Sequence, residues 1–360
     1  MTRTFLAVVS LVLAVLVSPL HAQDDIFAIT QPVDLDPANP EAEGIGELIY
    51  RGGVEIDPGE DDIGGISSLE WYEDRLYAVS DDGHWLTIQP DEINGRLVDV
   101  LALVRGDLND ERGRKLRGKD EGDAEAITRD PLGGWLITFE QEHRVWRYES
   151  LADGKAAIAS SAGPAAALRL VEGAEDNGGL EAYAMGPGGM LACGEWAEPP
   201  RPNCVREVGG VAVPFELTPP GSLIEHGGAP TDATCASDAT CYVLFRSYRS
   251  GYGNRAAIME LSHPDAIRTL AEFQPPLTLD NFEGLAVREQ YGKTYLYVIS
   301  DNNFSDNQRT LLMKFEIRQE EAPPAQNAEP VVEYDTTDVV LETALGDITI
   351  RLETERAPIT

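Results

Sequence analysis

Short apolar segments separated by polar turns recur along this chain and determine its predicted structure. In the clearest copy, the acidic residue Asp280 opens the segment 280–283, which leads into the apolar segment 284–287, and a Gly/Lys turn precedes the aromatic-rich segment 295–300. Segments that are rich in β-branched and aromatic residues and bounded by Gly-containing turns are typical of β-strands. The pattern therefore predicts two neighbouring strands in this stretch.

The same pattern occurs four more times upstream, which indicates a repeat protein. The copies align on the following small or apolar residues: Ile66, Ala126, Ala182, Ala233 and Gly284. Their spacing is about 50 to 60 residues, a period typical of the blades of a β-propeller. Each blade of a propeller buries both faces against its neighbours, which explains the near-continuous apolar strands.

We therefore predict an all-β fold, a β-propeller of five or six blades that spans residues 45–318. Weaker apolar segments supply outer strands, as at 97–104, 256–261 and 310–317. The strand around 48–56 is expected to close the ring by joining the last blade.

The N-terminal segment has the composition of an export signal. A positive residue, Arg3, precedes the apolar run 5–17, and small residues lie just before Gln23. This arrangement predicts a removed signal peptide at 1–22, and the apolar run is too short for a comfortable membrane span. We expect an exported protein, periplasmic or secreted, with an extended leader at 23–44.

The C-terminal segment also differs from the repeat. Residues 319–336 are interpreted as an acidic Pro/Ala linker. The alternating pattern of 337–360 predicts a β-hairpin, and two strands cannot hold a core alone. This piece is interpreted as the truncated start of a further domain.

The charge of the chain narrows the choice of partner. Acidic residues outnumber basic residues 62 to 28, which gives a formal net charge of −34. Such a charge argues against nucleic acid or an anionic membrane as the partner and is compatible with cation binding. It is equally compatible with a merely soluble acidic surface.

The four cysteines form two pairs that are close in sequence, Cys193 with Cys204 and Cys235 with Cys241. An oxidising compartment favours local disulfides between such pairs. Zinc is the alternative, although neither pair has CxxC spacing and the chain has only five histidines. We predict two disulfides.

Acidic residues occupy the start of the first strand in four copies, namely Glu125, Glu181, Asp232 and Glu283. The first strands of propeller blades line the central channel, so these carboxylates are expected to gather around one axis. Their mutual repulsion is costly unless a cation or shared protons relieve it, and an oxygen-only ligand set suits Ca²⁺. The alternative is a structural role in which each carboxylate accepts backbone N–H groups.

A second ring of polar residues is predicted at the ends of the second strands. Its members are Asp81, Glu140, Glu195, Arg246 and Asp301. Asp81 and Asp301 are predicted as further metal ligands, and Arg246 as the group that holds a substrate anion or pairs with an acid. His143, three residues after Glu140, is a candidate general base together with that carboxylate. The basic segment 112–119 is interpreted as a substrate loop or a solvated surface loop.

The segments Asp123-Ala124-Glu125-Ala126-Ile127 and 139–145, with 280–284, 299–304 and 308–312, resemble the phytase-like, "esterase-like activity of phytase" family of exported bacterial propellers. The resemblance covers about residues 45–318. It implies a propeller distantly related to calcium-dependent phytases, and hence hydrolysis of phosphoesters or esters.

The resemblance carries over Glu125, Glu181 and Glu283 as channel acids. Asp232 departs from the pattern in residue type, and the first copy has no acid at this position. The tail 337–360 resembles the opening of a cyclophilin-type prolyl isomerase. The segment that would carry that family's catalytic arginine is not in this sequence.

The sequence therefore leaves competing functions. The leading hypothesis is a calcium-dependent ester or phosphoester hydrolase, a monomer that binds a small anionic substrate. The alternatives are a non-catalytic propeller that binds a ligand of the cell envelope, and a targeting module fused to a prolyl isomerase. The first requires acids and arginines to converge at one end of the channel, whereas the second requires acids satisfied by backbone groups.

Overall fold

The computed structural model describes residues 23–59, 63–161, 165–174, 176, 178–195, 202–263, 266–319, 336–343 and 346–353. The chain divides into two compact units, residues 1–318 and 319–360. The predicted signal peptide at 1–22 lies outside the described residues, as does most of the predicted linker.

The first unit consists almost entirely of β-strands. The N-terminal strands are β1 (Gln23–Ile26), β2 (Ile29–Pro32), β3 (Gly44–Ile45) and β4 (Leu48–Asp57). A first group of four contains β5 (Ile66–Tyr72), β6 (Arg75–Ser80), β7 (His84–Ile93) and β8 (Arg96–Asn109). A second contains β9 (Ala124–Arg129), β10 (Trp135–Phe139), β11 (Arg144–Tyr148) and β12 (Ala157–Ser161).

The remaining groups follow in chain order. The third contains β13 (Ala182–Gly186), β14 (Gly189–Cys193), β15 (Cys204–Val208) and β16 (Val211–Phe215). The fourth contains β17 (Ala229–Cys235), β18 (Cys241–Arg249), β19 (Gly253–His263) and β20 (Ala266–Phe273). The last contains β21 (Asn281–Gln290), β22 (Lys293–Asp301) and β23 (Thr310–Ile317).

Helices in the described part of the chain are short. They are α1 (Gly118–Gly122), α2 (Ala165–Leu168), a 3₁₀ turn at Arg169–Val171, and α3 (Gly221–Ile224). No helix among the described residues is long and apolar enough to cross a membrane.

The groups are antiparallel sheets arranged in a ring. Consecutive strands pair within each group, and β12 also joins β8 through a short parallel pairing. The first strands contact one another in the closed order β5, β9, β13, β17, β21 and back to β5. The predicted β-propeller is confirmed, and the described residues form five such sheets.

The N-terminal strand closes the ring, as the sequence predicted. β4 pairs antiparallel with β23, which makes it the fourth strand of the last sheet. The segment predicted as an extended leader supplies β1, which pairs with β8, and β2 and β3, which pair with β4. The chain therefore returns to its own beginning to complete the last blade.

The core lies between adjacent sheets. Leu244 and Ile258 of the fourth sheet pack with Phe282 and Leu285 of the fifth, and all four are fully buried. Such contacts remove apolar side chains from water on both faces of a sheet, which is the main stabilising contribution in a propeller.

The cysteines form the two predicted disulfides, Cys193–Cys204 and Cys235–Cys241. Each joins neighbouring antiparallel strands at a directly paired position. Because all four thiols are consumed, the zinc alternative is excluded for these residues.

In the second unit, β24 (Thr336–Thr343) and β25 (Gly346–Glu353) form the predicted antiparallel hairpin. Val339, Val340 and Ile350 are exposed in it. The resemblance of this segment to a cyclophilin opening stays a prediction.

Candidate functional site

A β-bulge near the start of the first strand positions the acidic side chains. In four sheets the pairing register breaks there and leaves one residue without a direct partner on the second strand. These residues are Ser67, Glu125, Thr231 and Glu283. Glu181 is the equivalent residue of the third sheet. In the second sheet, Glu140 N donates a hydrogen bond to the carbonyl of Asp123, two residues before Glu125. In the third sheet, Glu195 N donates the same bond to the carbonyl of Gly179, two residues before Glu181.

This register corrects the alignment of the fourth copy by one residue. Thr231, and not Asp232, occupies the glutamate position of the fourth sheet. Since side chains alternate between the two faces of a strand, a shift of one residue turns the side chain to the opposite face. Asp232 therefore points away from the other acids and is equivalent to Ala126 and Gly284.

Asp232 is a structural carboxylate inside the ring. It is fully buried, its Oδ1 accepts bonds from Ser68 Oγ at 2.9 Å and Ala233 N at 2.8 Å, and its Oδ2 accepts bonds from Leu69 N at 3.0 Å and Leu285 N at 2.7 Å. The Ser68 hydroxyl in turn accepts a bond from Ile127 N at 3.1 Å. Both oxygens are occupied by protein donors, so the prediction of Asp232 as a metal ligand is wrong.

Five other carboxylates converge at one end of the ring. We call them the acidic cluster: Asp123, Glu125, Glu140, Glu181 and Glu195. One oxygen each of Asp123, Glu125 and Glu140 lie within 4.8 Å of one another, and the same holds for Glu140, Glu181 and Glu195. Glu140 belongs to both triads, and it also accepts a hydrogen bond from Gly179 N at 2.5 Å.

The acidic cluster carries a strong electrostatic penalty. Burial raises the pKa of Glu125 well above its usual range, and the neighbouring Glu140 and Asp123 raise it further. Burial also raises the pKa of Glu181 well above its usual range, with added contributions from Glu125 and Glu140. Shared protons or a bound cation would relieve this repulsion.

The donor set fits a calcium ion. Asp123 is fully buried, and its Oδ1 accepts no hydrogen bond from the described residues, whereas its Oδ2 accepts one from Gln141 Nε2 at 3.2 Å. A buried carboxylate oxygen without a donor is costly and marks a place for a ligand. Oxygen ligands from several carboxylates are the set that Ca²⁺ prefers.

Arg246 and Glu283 form an ion pair beside the acidic cluster. Arg246 Nε lies 3.0 Å from Glu283 Oε1, which also accepts a hydrogen bond from Asn281 Nδ2 at 2.9 Å. Burial raises the pKa of Glu283 to about 7, although Arg246 opposes the shift. Glu283 is a member of neither triad, so the structure places it with the arginine rather than among the grouped ligands.

Asp81 and Asp301 come between Glu283 and Asp123 in the order of the ring, because Asp301 ends β22 of the fifth sheet and Asp81 follows β6 of the first. Burial raises the pKa of Asp301 to about 6, and the nearby Asp81 contributes to that rise. Asp301 Oδ1 accepts bonds from Ile66 N at 3.1 Å and Asn303 N at 2.9 Å, while Asp81 pairs with Lys119 at 2.9 Å. Neither residue belongs to a triad, and their prediction as metal ligands stays a prediction.

The structure places His143 in the turn between β10 and β11, half-buried, three residues beyond Glu140. It does not appear in either carboxylate triad of the described chain. Its proposed pairing with Glu140 as a general base stays a prediction.

The sequence pattern did not single out two residues of this region, Asp123 in the acidic cluster and Lys119 beside it. Asp123 opens the second copy two residues before Glu125, and the acid that opens the fifth copy, Asp280, is the signal by which it could have been found. Lys119, in α1, contacts Asp81 and Asp123, but nothing in the local pattern shows where that loop folds back.

Comparison with solved structures finds proteins of low similarity. They include an exo-1,5-α-L-arabinanase from a bovine ruminal metagenomic library (TM-score 0.40, 9% identity, covering 80% of this chain and 97% of that one). The PQQ-bound aldose sugar dehydrogenase of Streptomyces coelicolor has a TM-score of 0.40 and 11% identity, covering 81% of this chain and 99% of that one. These similarities are too low to carry an argument about activity.

No curated protein matches the chain. A family model does match, over residues 61–304, which is more than half of the sequence and contains the acidic cluster with Arg246 and Glu283. The chain therefore belongs to the phytase-like family described as "Esterase-like activity of phytase".

Proposed function

We propose that this protein is an exported, calcium-dependent hydrolase of phosphoesters or carboxyl esters that acts at the acidic end of its propeller. The observation that carries the proposal is the pair of carboxylate triads that share Glu140, together with the Oδ1 of buried Asp123, which accepts no hydrogen bond from the described part of the chain. The family description, which refers to both an esterase-like activity and phytase, supports the same class of reaction.

The residues that would hold a cation are Asp123, Glu125, Glu140 and Glu181, with the exposed Glu195 at the rim. When bound, a divalent cation would polarise a phosphoryl or carbonyl oxygen and offset the negative charge of the acidic cluster. Removing that charge is also what would allow an anionic substrate to approach.

Two residues of the chain are suited to act on the substrate. The Arg246 guanidinium has several N–H donors, and donors beyond the Nε that faces Glu283 can bind a phosphate or carboxylate. Glu283 has a pKa raised to about 7 by burial, so it is able to take up and release a proton near neutral pH. Because Arg246 and Asn281 both contact Oε1, the proton would sit on Oε2.

Export is supported by two features. Two disulfides consume all cysteines of the chain, as is typical of proteins that fold in an oxidising compartment. The predicted signal peptide at 1–22 supplies the route.

Calorimetric titration of Ca²⁺ into chelator-stripped protein tests the metal site. We expect saturable binding by the wild type, and binding weakened about tenfold or more in Glu140→Gln, because that residue belongs to both triads and charged ligands determine calcium affinity. Hydrolysis of p-nitrophenyl phosphate and p-nitrophenyl acetate by the loaded protein then identifies the ester class.

Glu149→Gln is the matched control, because it changes the net charge equally and Glu149 is exposed just after β11. Its calcium affinity is expected to equal that of the wild type. Absence of binding at about 5 mM calcium, above the range of weak extracellular sites, would contradict the proposal. So would equal weakening by the two substitutions.

A further inference from the structure

The basic segment 112–119 folds back onto the acidic residues that surround the end of the ring. Two of its members pair with acids of β8 and of the loop that follows it: Arg114 lies 2.6 Å from Asp110, and Lys115 pairs with Asp107. Lys119, carried by α1, lies 2.9 Å from Asp81 Oδ2 and 3.6 Å from Asp123 Oδ1. Of these three pairs, only that of Lys119 reaches the acidic cluster.

The Asp123 oxygen that Lys119 approaches is the one that accepts no hydrogen bond from the described residues. At 3.6 Å the ammonium group offsets the charge of that oxygen without donating a hydrogen bond to it. The same carboxylate is part of the triad with Glu125 and Glu140. Lys119 and a metal ion therefore draw on the same carboxylate, and their positive charges repel each other.

Lys119 is able to leave this position without a rearrangement of the strands. Its side chain is 61% exposed, and the lysine stem is flexible, so the ammonium group reaches water without a change in the strands. Because Asp81 and Asp123 are both buried, the bound metal ion would have to replace the positive charge that the ammonium group withdraws.

We propose that Lys119 is an internal cation of the acidic cluster that a metal ion displaces from Asp123 when it binds. This inference rests on the proposed metal site. Lys119 supplies one positive charge, so exchange for a monovalent ion brings no electrostatic gain, whereas exchange for a divalent ion does. Lys119 is thus a specificity-determining residue that reserves the site for divalent cations.

The test compares calcium affinities of chelator-stripped full-length protein by calorimetry. Lys119→Met is expected to bind Ca²⁺ about fivefold more tightly than the wild type, since the competing charge is gone, a gain of about 1 kcal/mol. Lys119→Arg keeps the cation and is expected to bind as the wild type does.

Lys115→Met is the matched control, because it removes the same charge from the same loop but pairs with Asp107 outside the acidic cluster. Its affinity is expected within about twofold of the wild type, as for a remote surface charge. A second readout replaces sodium chloride by tetramethylammonium chloride at constant ionic strength. In sodium chloride, Na⁺ is expected to compete with Ca²⁺ at the position that Lys119→Met leaves vacant. Replacing sodium by tetramethylammonium removes this competitor, so only Lys119→Met should gain calcium affinity when the salt is changed.

The outcomes separate this inference from the metal site itself. Calcium binding by the wild type with unchanged affinity in Lys119→Met, or an equal gain in Lys115→Met, would overturn the exchange alone. If neither the wild type nor Lys119→Met binds calcium, both the exchange and the proposed calcium-dependent hydrolase are overturned. Binding only after the substitution would show that calcium does not displace Lys119 in the wild type, and it would overturn the exchange.

Discussion

At the scale of single residues, the face of the strand on which a carboxylate lies determines its role. Glu125 and Glu283 occupy bulge positions and point toward the acidic end of the ring. Asp232 lies one position past the bulge and accepts four hydrogen bonds within the ring. The same chemical group thus faces the acidic end of the ring at one position and holds strands together at the next.

Asp232→Asn is expected to destabilise the protein. The asparagine amide turns one acceptor into a donor that faces existing donors, which leaves buried N–H groups of β5, β17 or β21 without an acceptor. We expect a loss of about 2–4 kcal/mol in the free energy of unfolding, measured by urea denaturation. Calcium affinity of the folded variant should not change, because Asp232 is outside the acidic cluster.

Glu195→Gln provides the comparison for that substitution. It removes the same charge from an exposed member of the acidic cluster, so its effect on stability should stay within about 0.5 kcal/mol. Weakened calcium binding in Asp232→Asn without loss of stability would restore the ligand assignment that the geometry rejects.

The sequence predicts the acidic residues better than their orientation. The repeat identifies Glu125, Glu140 and Glu181, because the same strand pattern surrounds the equivalent position in each copy. The fourth copy has no glutamate, and its sequence alone aligns the nearest acid, Asp232, with the glutamates of the other copies. The bulge that places Thr231 at that position instead depends on the pairing between strands. Periodicity within one strand does not contain that information.

At the scale of elements, a buried charge network joins the last sheet to the first. Lys314 of β23 is fully buried, and its Nζ lies 2.8 Å from Glu92 Oε2 of β7. Glu92 also contacts Arg288 Nη1 at 3.3 Å and accepts a hydrogen bond from the Tyr297 hydroxyl. The network therefore fixes one carboxylate of the first sheet among three donors of the last.

Removal of the carboxylate should cost more than removal of the lysine. In Glu92→Gln, the ammonium of Lys314 and the guanidinium of Arg288 lose their anion, and we expect a loss of about 3–5 kcal/mol. In Lys314→Met, Glu92 keeps Arg288 and Tyr297, so a loss of about 1–2 kcal/mol is expected. Urea denaturation of both variants measures the difference.

The double variant completes the cycle. Because the methionine side chain that replaces Lys314 carries no charge and needs no carboxylate, Glu92→Gln with Lys314→Met should lose about 1–3 kcal/mol less than the sum of the single losses. Additive losses would show that the interaction free energy between Glu92 and Lys314 is near zero, although their charged groups lie 2.8 Å apart.

The strands of these elements were predictable, whereas the loops between them were not. Apolar segments at 295–300 and 310–317 correspond to β22 and β23, since alternation and β-branched residues encode strands directly. The sequence of the basic segment 112–119 indicates only a loop, either one that binds substrate or a solvated one at the surface. Its path from β8 to α1 brings Lys119 to Asp81 and Asp123 through contacts that no local pattern specifies.

At the scale of the whole molecule, the propeller depends on its first strand to close its last sheet. β4 supplies Leu48 and Val54, both fully buried, to the cores on the two faces of that sheet. Without β4, β23 would be an edge strand with unpaired backbone groups and exposed apolar side chains. Closure by the N-terminal strand therefore couples the beginning of the chain to the stability of the ring.

A variant that lacks residues 23–57 is expected to lose cooperative unfolding, because the last sheet loses its outer strand and two adjoining cores open to water. Heat denaturation followed by circular dichroism measures this loss. A peptide of residues 44–59 added in trans should restore the transition by pairing with β23, as a donated strand completes a sheet. A scrambled peptide of the same composition should not. A cooperative transition in the deletion variant without peptide would show that the ring closes without its N-terminal strand.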